Sequence, residues 1–346
     1  MEQRFDPNNM FKSIWEFPEN LKDAFELGNS IILKNKYKNI NNIVVAGMGG
    51  SAIGGDVLSV LEFDNLDIPL IVCRGYSLPN WVDKNTLVIC SSYSGNTEET
   101  LSALDDAIIK KAQICAITTG GKIEKKITEL GYDIVIIPSG LQPRAALAFS
   151  FIPMTKLLQK IGLINPGINK WLDNAIETLT KNRNLYSIEG VKNPIYVLSQ
   201  KIFNKIPIIY ADNSTLSIAA IRLKGQICEN AKMLAYHNEL PEINHNEIVG
   251  WENNSKLHKD LHVLWLKDIL DNDRVKLRQE ITSNILTEGE VDQSEISVEG
   301  ENFQERFLFM INYGDWLSFW CAILHGTDPS PVVKISRLKE VLSKKI

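Results

Sequence analysis

The stretch LVICSSYSGNTEETL, residues 87–101, leaves an apolar run and at once sets out three serines, a glycine, an asparagine and a threonine. A plain turn needs one or two such residues. Leu101, Leu104 and Ile108 then recur at helical spacing, so a helix is predicted to begin near Thr97–Glu99. A strand, a hydroxyl-rich turn and a helix N-terminus in succession predict an anion site. The first backbone N–H groups of a helix have no internal partner, and Gly95 lets the turn tighten around a ligand.

Working outward, the same texture recurs. Short apolar runs at 43–46, 68–73, 87–90, 114–118 and 134–137 alternate with helical patterns. Strands buried on both faces and alternating with helices imply a parallel sheet. Residues 1–40 read as helical, from Ile14, Phe17, Leu21, Phe25, Leu27 and Ile31. The pattern repeats with predicted strands at Ile195–Leu198, Ile206–Tyr210, Leu261–Leu266 and Glu295–Val298. The turn after Leu198, Ser199-Gln200-Lys201, lacks glycine, so the second unit is expected to have kept the sheet and lost the anion loops. The expected class is α/β: two doubly wound parallel-sheet units, with an N-terminal helical segment and a C-terminal helix. The expected division is 1–40, 41–190 and 191–346, with the boundary near Asn193-Pro194.

The 346 residues suffice for two domains, and 44% hydrophobic with 23% charged residues is ordinary for a globular chain. A net charge of -5 argues against a nucleic-acid partner. No apolar run approaches ~20 residues and the start carries no basic-then-apolar leader, so neither a membrane span nor a secretory signal is expected. The five cysteines are scattered and read as reduced thiols of a cytoplasmic protein. With no CxxC and no HExxH, no metal is expected.

The first strand runs into GMGGSAIGGD, residues 47–56. Gly47, Gly49 and Ala52 fit a dinucleotide fingerprint, and Arg74 after the second strand could suit the 2′-phosphate of NADP. The competing reading joins the two loops. Strands one and three of a doubly wound sheet can be neighbours, so Ser51, Ser92, Ser94 and Thr97 could converge on one phosphate with the amides at Gly49 and Gly50. Glu98 and Glu99 would then point away, serving the helix dipole. A third reading takes both segments as polar turns and helix caps.

GMGGSAIGGD and SSYSGNTEET closely resemble the phosphosugar loops of sugar isomerase (SIS) domains. With LQPRAALAFSF at 141–151, ICENAKMLAYHNELPEINHNEIVGW at 227–251 and DPSPVVKISRLK at 328–339, the chain resembles the bifunctional phosphoglucose/phosphomannose isomerase family over about residues 40–340. The resemblance implies a hexose 6-phosphate substrate, no cofactor, and a homodimer with its active site near the subunit interface.

By that resemblance Glu229 is the base that moves a proton between C1 and C2 through a cis-enediol. A flank partly buried along Leu216, Ala220, Leu223, Ile227, Ala231 and Leu234 would raise its pKa usefully. His245 is assigned to ring opening, in its own subunit or across a dimer, with Lys339 as the ring-opening lysine. Arg144 is assigned to the enediolate oxygens. His237, His258 and His262 match no such position, and His325 is unassigned. Ser330 stands where many relatives have threonine. An isomerase for one aldose only, and a sugar-phosphate sensor without chemistry, are the competing functions.

Overall fold

A computed structural model describes residues 5–344 and divides into two compact units. The first comprises Glu16–Thr180. The second comprises the residues up to Trp15, including α1 (Met10–Trp15), and those from Lys181 onward.

In the first unit, α2 (Phe17–Ser30) precedes five strands. These are β1 (Asn42–Ala46), β2 (Leu70–Cys73), β3 (Thr86–Ser92), β4 (Gln113–Thr118) and β5 (Asp133–Ile136). They lie in the order β2-β1-β3-β4-β5, all parallel. Between them run α3 (Gly49–Leu61), α4 (Glu98–Ile109) and α5 (Gly121–Glu129), and α6 (Leu147–Ile161) follows β5. All seven residues of β3 are buried, as a central strand covered on both faces requires. Val44, Val88 and Ile114 of the sheet form one core with Leu104 of α4 and Ile127 of α5.

The helix expected through residue 40 stops at Ser30; residues 1–4 lie outside the described residues. The cause is Asp133 at the start of β5. Its carboxylate accepts from the Lys34 and Asn35 amides at 2.7 and 3.1 Å and from the Tyr37 hydroxyl at 2.9 Å. Those amides serve the sheet end instead of a helix.

The division between units falls within α7 (Leu172–Tyr186). The second unit continues with α8 (Pro194–Lys201), β6 (Ile206–Asp212), α9 (Ser217–Gln226) and β7 (Tyr236–Leu240). Then come β8 (Leu261–Leu266), α10 (Asp273–Glu288), β9 (Asp292–Ile296), α11 (Phe303–Leu324) and α12 (Val333–Ser343). The strand order is β7-β6-β8-β9, again all parallel. Ile195–Leu198 is helix, not strand. A four-residue apolar run does not distinguish the two by itself. The Asn193 side chain caps the Ile195 amide and Pro194 stands in the first turn, which settles it for helix. The last strand begins three residues earlier than expected, at Asp292, and β7 was not expected at all. By length and composition α11 could cross a membrane, but 89% of its most apolar stretch is buried inside the fold, where a central helix belongs.

His262 lies on β8, 3% exposed, with Nε2 at 2.9 Å from the Ser294 hydroxyl. Burial, aided by Lys205 and Lys201 against Asp292, lowers its pKa from 6.5 to about 4. The folded chain keeps the ring neutral between those values while the unfolded chain protonates it. Stability therefore falls as pH drops through that window, by up to roughly 3 kcal/mol. Chemical denaturation at pH 7 and pH 4.5 should show a steeper loss for the wild type than for His262→Gln. Equal losses would contradict this account.

Candidate active site

The two loops of the first unit leave the sheet side by side. The register pairs Ala46 of β1 with Cys90 of β3, so Gly47–Gly49 and Tyr93–Thr97 emerge at the same carboxyl edge. Ser51, Ser91 and Ser92 are buried there, Thr97 is half-buried and Ser94 is exposed. The Ser51 hydroxyl accepts from the Tyr93 amide at 3.0 Å, tying loop to loop. Ser92 Oγ lies 2.9 Å from Thr97 Oγ1, and Ser94 Oγ accepts from the Asn96 amide at 3.3 Å. Thr97 precedes α4 but its side chain makes no cap hydrogen bond, and the N-terminus of α3 is also without a side-chain cap. The hydroxyls are therefore not spent as helix caps, and two adjacent helix N-termini present their amides at one edge, an arrangement that favours an anion.

Tyr93, passed over in the sequence, is the fastener. Its amide meets Ser51, its carbonyl accepts from the Thr119 amide (3.0 Å) and hydroxyl (2.7 Å), and its hydroxyl accepts from the Leu141 amide at 3.0 Å. One aromatic in an otherwise small-residue turn was the available signal. Gly95 sits at φ 64°, and a Cβ there would lie 1.7 Å from the Gly120 carbonyl oxygen, so no other residue fits.

Arg144 stands in a one-turn 3₁₀ segment, Pro143–Ala145, at the entrance to α6, and is buried. It adjoins the first loop directly. A Cβ added to Gly50 would lie 2.6 Å from the Pro143 carbonyl oxygen and 3.4 Å from the Arg144 α-carbon. The first unit thus brings together Gly49, Gly50, Ser51, Ser92, Thr97 and Arg144. Arg74, the residue considered for a 2′-phosphate, instead pairs with Asp56 of α3, so its guanidinium is already engaged. Burial pushes the Asp56 carboxyl up, and Arg74 pulls it down.

In the second unit, Glu229 is half-buried on a π-helical turn, Ile227–Ala231, at the end of α9. The helix expected to continue to Leu234 stops at this turn, and Leu234 is exposed. Such turns widen the backbone and re-aim side chains. Its position is set from both sides. Upstream, Arg222 of α9 reaches both carboxylate oxygens of Asp315 on α11 at 2.9 Å, a buried pair. Downstream, Asn230 donates to the Ser318 hydroxyl at 2.9 Å. Lys232, at φ 57°, donates to the carbonyls of Glu229 (2.7 Å), Asn230 (3.2 Å) and Pro329 (3.0 Å). That lysine binds the DPSP stretch, with buried Ser330, to the Glu229 turn, and the sequence reading missed it.

His245 ends a 3₁₀ turn, Glu242–His245, after β7, and is exposed. Lys339 lies midway along α12, a helix with no buried residue. Among the described residues neither side chain has a hydrogen-bond or ion-pair partner, so neither is joined to the Glu229 turn. The buried His258 donates from Nδ1 to the Gly289 carbonyl at 3.0 Å, and His325 packs on Phe203; neither belongs to these groups.

The profile of the bacterial phospho-glucose isomerase C-terminal SIS domain matches residues 191–342. A bifunctional phosphoglucose/phosphomannose isomerase of Caldicellulosiruptor bescii is 44% identical, covering 97% of this chain and 99% of its own. One of Aquifex aeolicus is 40% identical, covering 87% and 90%. Among solved structures, a hypothetical protein from Thermus thermophilus superposes with a TM-score of 0.73 at 14% identity, covering 97% of this chain and 90% of that one, a likeness of fold.

The close approach at Gly50 is the feature to test. Gly50→Ala should push the first loop off Pro143 and lower the affinity for inorganic phosphate by about tenfold or more, since ångström-scale misplacement is costly. Isothermal titration calorimetry reads this, and circular dichroism checks that the fold persists. Undiminished affinity would mean that loop spacing does not set the anion site.

Proposed function

The chain belongs to the bifunctional phosphoglucose/phosphomannose isomerase family, and on that premise we propose how its residues interconvert glucose 6-phosphate and mannose 6-phosphate with fructose 6-phosphate. The observation that carries the proposal is the buried Arg144, on a segment whose backbone packs against Gly50, next to a hydroxyl-lined pair of uncapped helix N-termini. The Ser51, Ser92, Ser94 and Thr97 hydroxyls with the Gly49 and Gly50 amides hold the phosphate. A dianion is well served by hydroxyls and oriented amides without a lysine. Arg144 then faces oxygen atoms on which negative charge develops, where a fixed cation helps most.

The proton transfer falls to Glu229. Its carboxylate removes the C2 proton of the open-chain aldose, and the electron pair forms the C1–C2 double bond of a cis-enediol as O1 takes a proton. Glu229 returns its proton to C1, the O2 proton is lost, and a C2 carbonyl results. The net change is one hydrogen from C2 to C1 and one from O2 to O1, with no redox partner required. C2 is planar in the enediol, so its configuration is erased. Rotation about C2–C3 before reprotonation yields the epimeric aldose. His245 and Lys339 open the ring by moving protons at the ring oxygen and the C1 hydroxyl, a task that suits imidazole near neutral pH.

Exposed His245 supports a homodimer in which this side chain completes a neighbouring subunit's site. The first unit, Glu16–Thr180, carries the phosphate loops, and the second, from Lys181 onward, carries the base. Five unpaired cysteines fit a cytoplasmic setting.

Proton NMR of the protein with fructose 6-phosphate in deuterated water should show both aldoses carrying deuterium at C2. Glucose 6-phosphate alone would restrict the enzyme to one epimer. Saturable binding with no product would make it a sensor. Glu229→Gln should lower kcat by about 10³-fold while leaving fructose 6-phosphate affinity near that of the wild type. Lost affinity with residual turnover would place the base elsewhere.

A further inference from the structure

Helix α10 has two apolar faces where its own unit covers one. Val275, Gln279, Thr282 and Leu286 are buried against the sheet. Leu277, Ile281 and Ile285 form a second stripe, 41%, 50% and 42% exposed. They follow the i, i+4, i+8 spacing of one helix face, and Arg274 and Glu288 continue the same face at either end. Both of these charged residues are exposed, and neither has an ion-pair partner among the described residues.

On this face the charges also run against the helix dipole. Arg274 lies in the positive first turn, where Asp273 on another face is paired with Lys276, and Glu288 sits in the negative last turn, which contains no basic residue. For a lone helix this order is unfavourable. For a helix packed antiparallel on its own copy it is complementary. A two-fold axis at Ile281 sets Leu277 of one copy against Ile285 of the other and Arg274 against Glu288, because both pairs are equidistant from 281. The same operation opposes the two helix dipoles.

The surface beside Ile285 has the shape this pairing needs. A cavity of about 240 Å³ opens there, lined by Val249, Trp251, Ile285, Leu286 and Val291 among others. Under that two-fold, Leu277 of the second copy arrives at its mouth and can fill it. The loop bearing His245 rides on the same helix. Asn244 donates to the Thr282 hydroxyl at 2.8 Å and accepts from Arg278 at 3.4 Å.

We propose that the α10 stripe with the Trp251–Ile285 cavity is an isologous docking surface for a second copy of this chain, pairing α10 antiparallel about Ile281. The proposal rests on the homodimer reading above and adds the surface, the register and the knob that fills the cavity.

Sedimentation velocity should give the wild type a mass twice 39.0 kDa. Arg274→Glu and Glu288→Arg alone should each raise the dimer dissociation constant by about tenfold or more, and the two together should restore it. Leu277→Asp should dissociate the dimer. Ile281→Cys, on the axis, should cross-link to a dimer band on mild oxidation where the wild type does not. Far-ultraviolet circular dichroism should be unchanged throughout. A wild-type dimer untouched by the charge and Leu277 variants, with no cross-link formed by the Ile281→Cys variant, would overturn this surface and leave the dimer reading standing. A monomeric wild type would overturn both.

Discussion

Between Gly50 and the Pro143 carbonyl there is no room for one more carbon atom. Much of the arrangement of the first unit's loops depends on that closeness. It lets the first loop lie directly on the segment carrying the buried Arg144. The register of β1 on β3 sets the two loops at one edge, and Tyr93 then fixes their separation with hydrogen bonds to three different segments. No single bond in that set exceeds about 1–2 kcal/mol in net stability. Their value is positional, since each removes a direction in which the loops could drift.

The second unit solves a different problem, fixing the backbone turn that carries a carboxylate. Glu229 stands on a π-helical turn, and the constraints fall on its neighbours. The Arg222–Asp315 pair is buried on both sides. Such a pair adds little net stability compared with an apolar replacement, yet leaving one partner alone costs about 3–5 kcal/mol. It therefore acts as a locator for α9 on α11 more than as a source of stability. Lys232 performs the complementary task through backbone carbonyls, fastening the Pro329–Ser330 stretch while its charge stays near the turn.

What could be read from the sequence was whatever a short window contains. Continuous apolar runs marked the first sheet, and the hydroxyl-rich turn with its glycine marked the passage from strand to helix, because both are local. The readings that missed depended on distant partners. Residues 31–40 leave the helical pattern because Asp133, about a hundred positions away, takes the amides of Lys34 and Asn35. Ile195–Leu198 was ambiguous in period, although Asn193-Pro194 was a readable start signal for a helix. The strand β7, YHNEL, has one buried residue and is an edge strand, so it carries no apolar run to recognise. Glu229 was located by resemblance, whereas the π turn that aims it and the lysine that ties it down have no signature in any window.

The second unit was expected to lack anion loops because of the turn after Leu198, but that turn lies within a helix, and the comparable positions are at the sheet edge. In strand order β6 and β8 correspond to β1 and β3. Their carboxyl ends carry Asp212, Asp268 and Asp271 in place of glycine and serine. Asp212 accepts from the Ser214 and Asn272 amides at 2.9 and 3.0 Å, Asp268 from the Leu270 amide at 2.8 Å, and Asp271 from the Asp268 amide at 3.0 Å. Arg306 completes a buried pair with Asp268. The amides that a phosphate would need are thus already occupied by the chain's own carboxylates, and their charge would repel another anion. At one sheet edge the loops carry glycines and hydroxyls, and at the equivalent edge the amides are closed off by internal carboxylate acceptors.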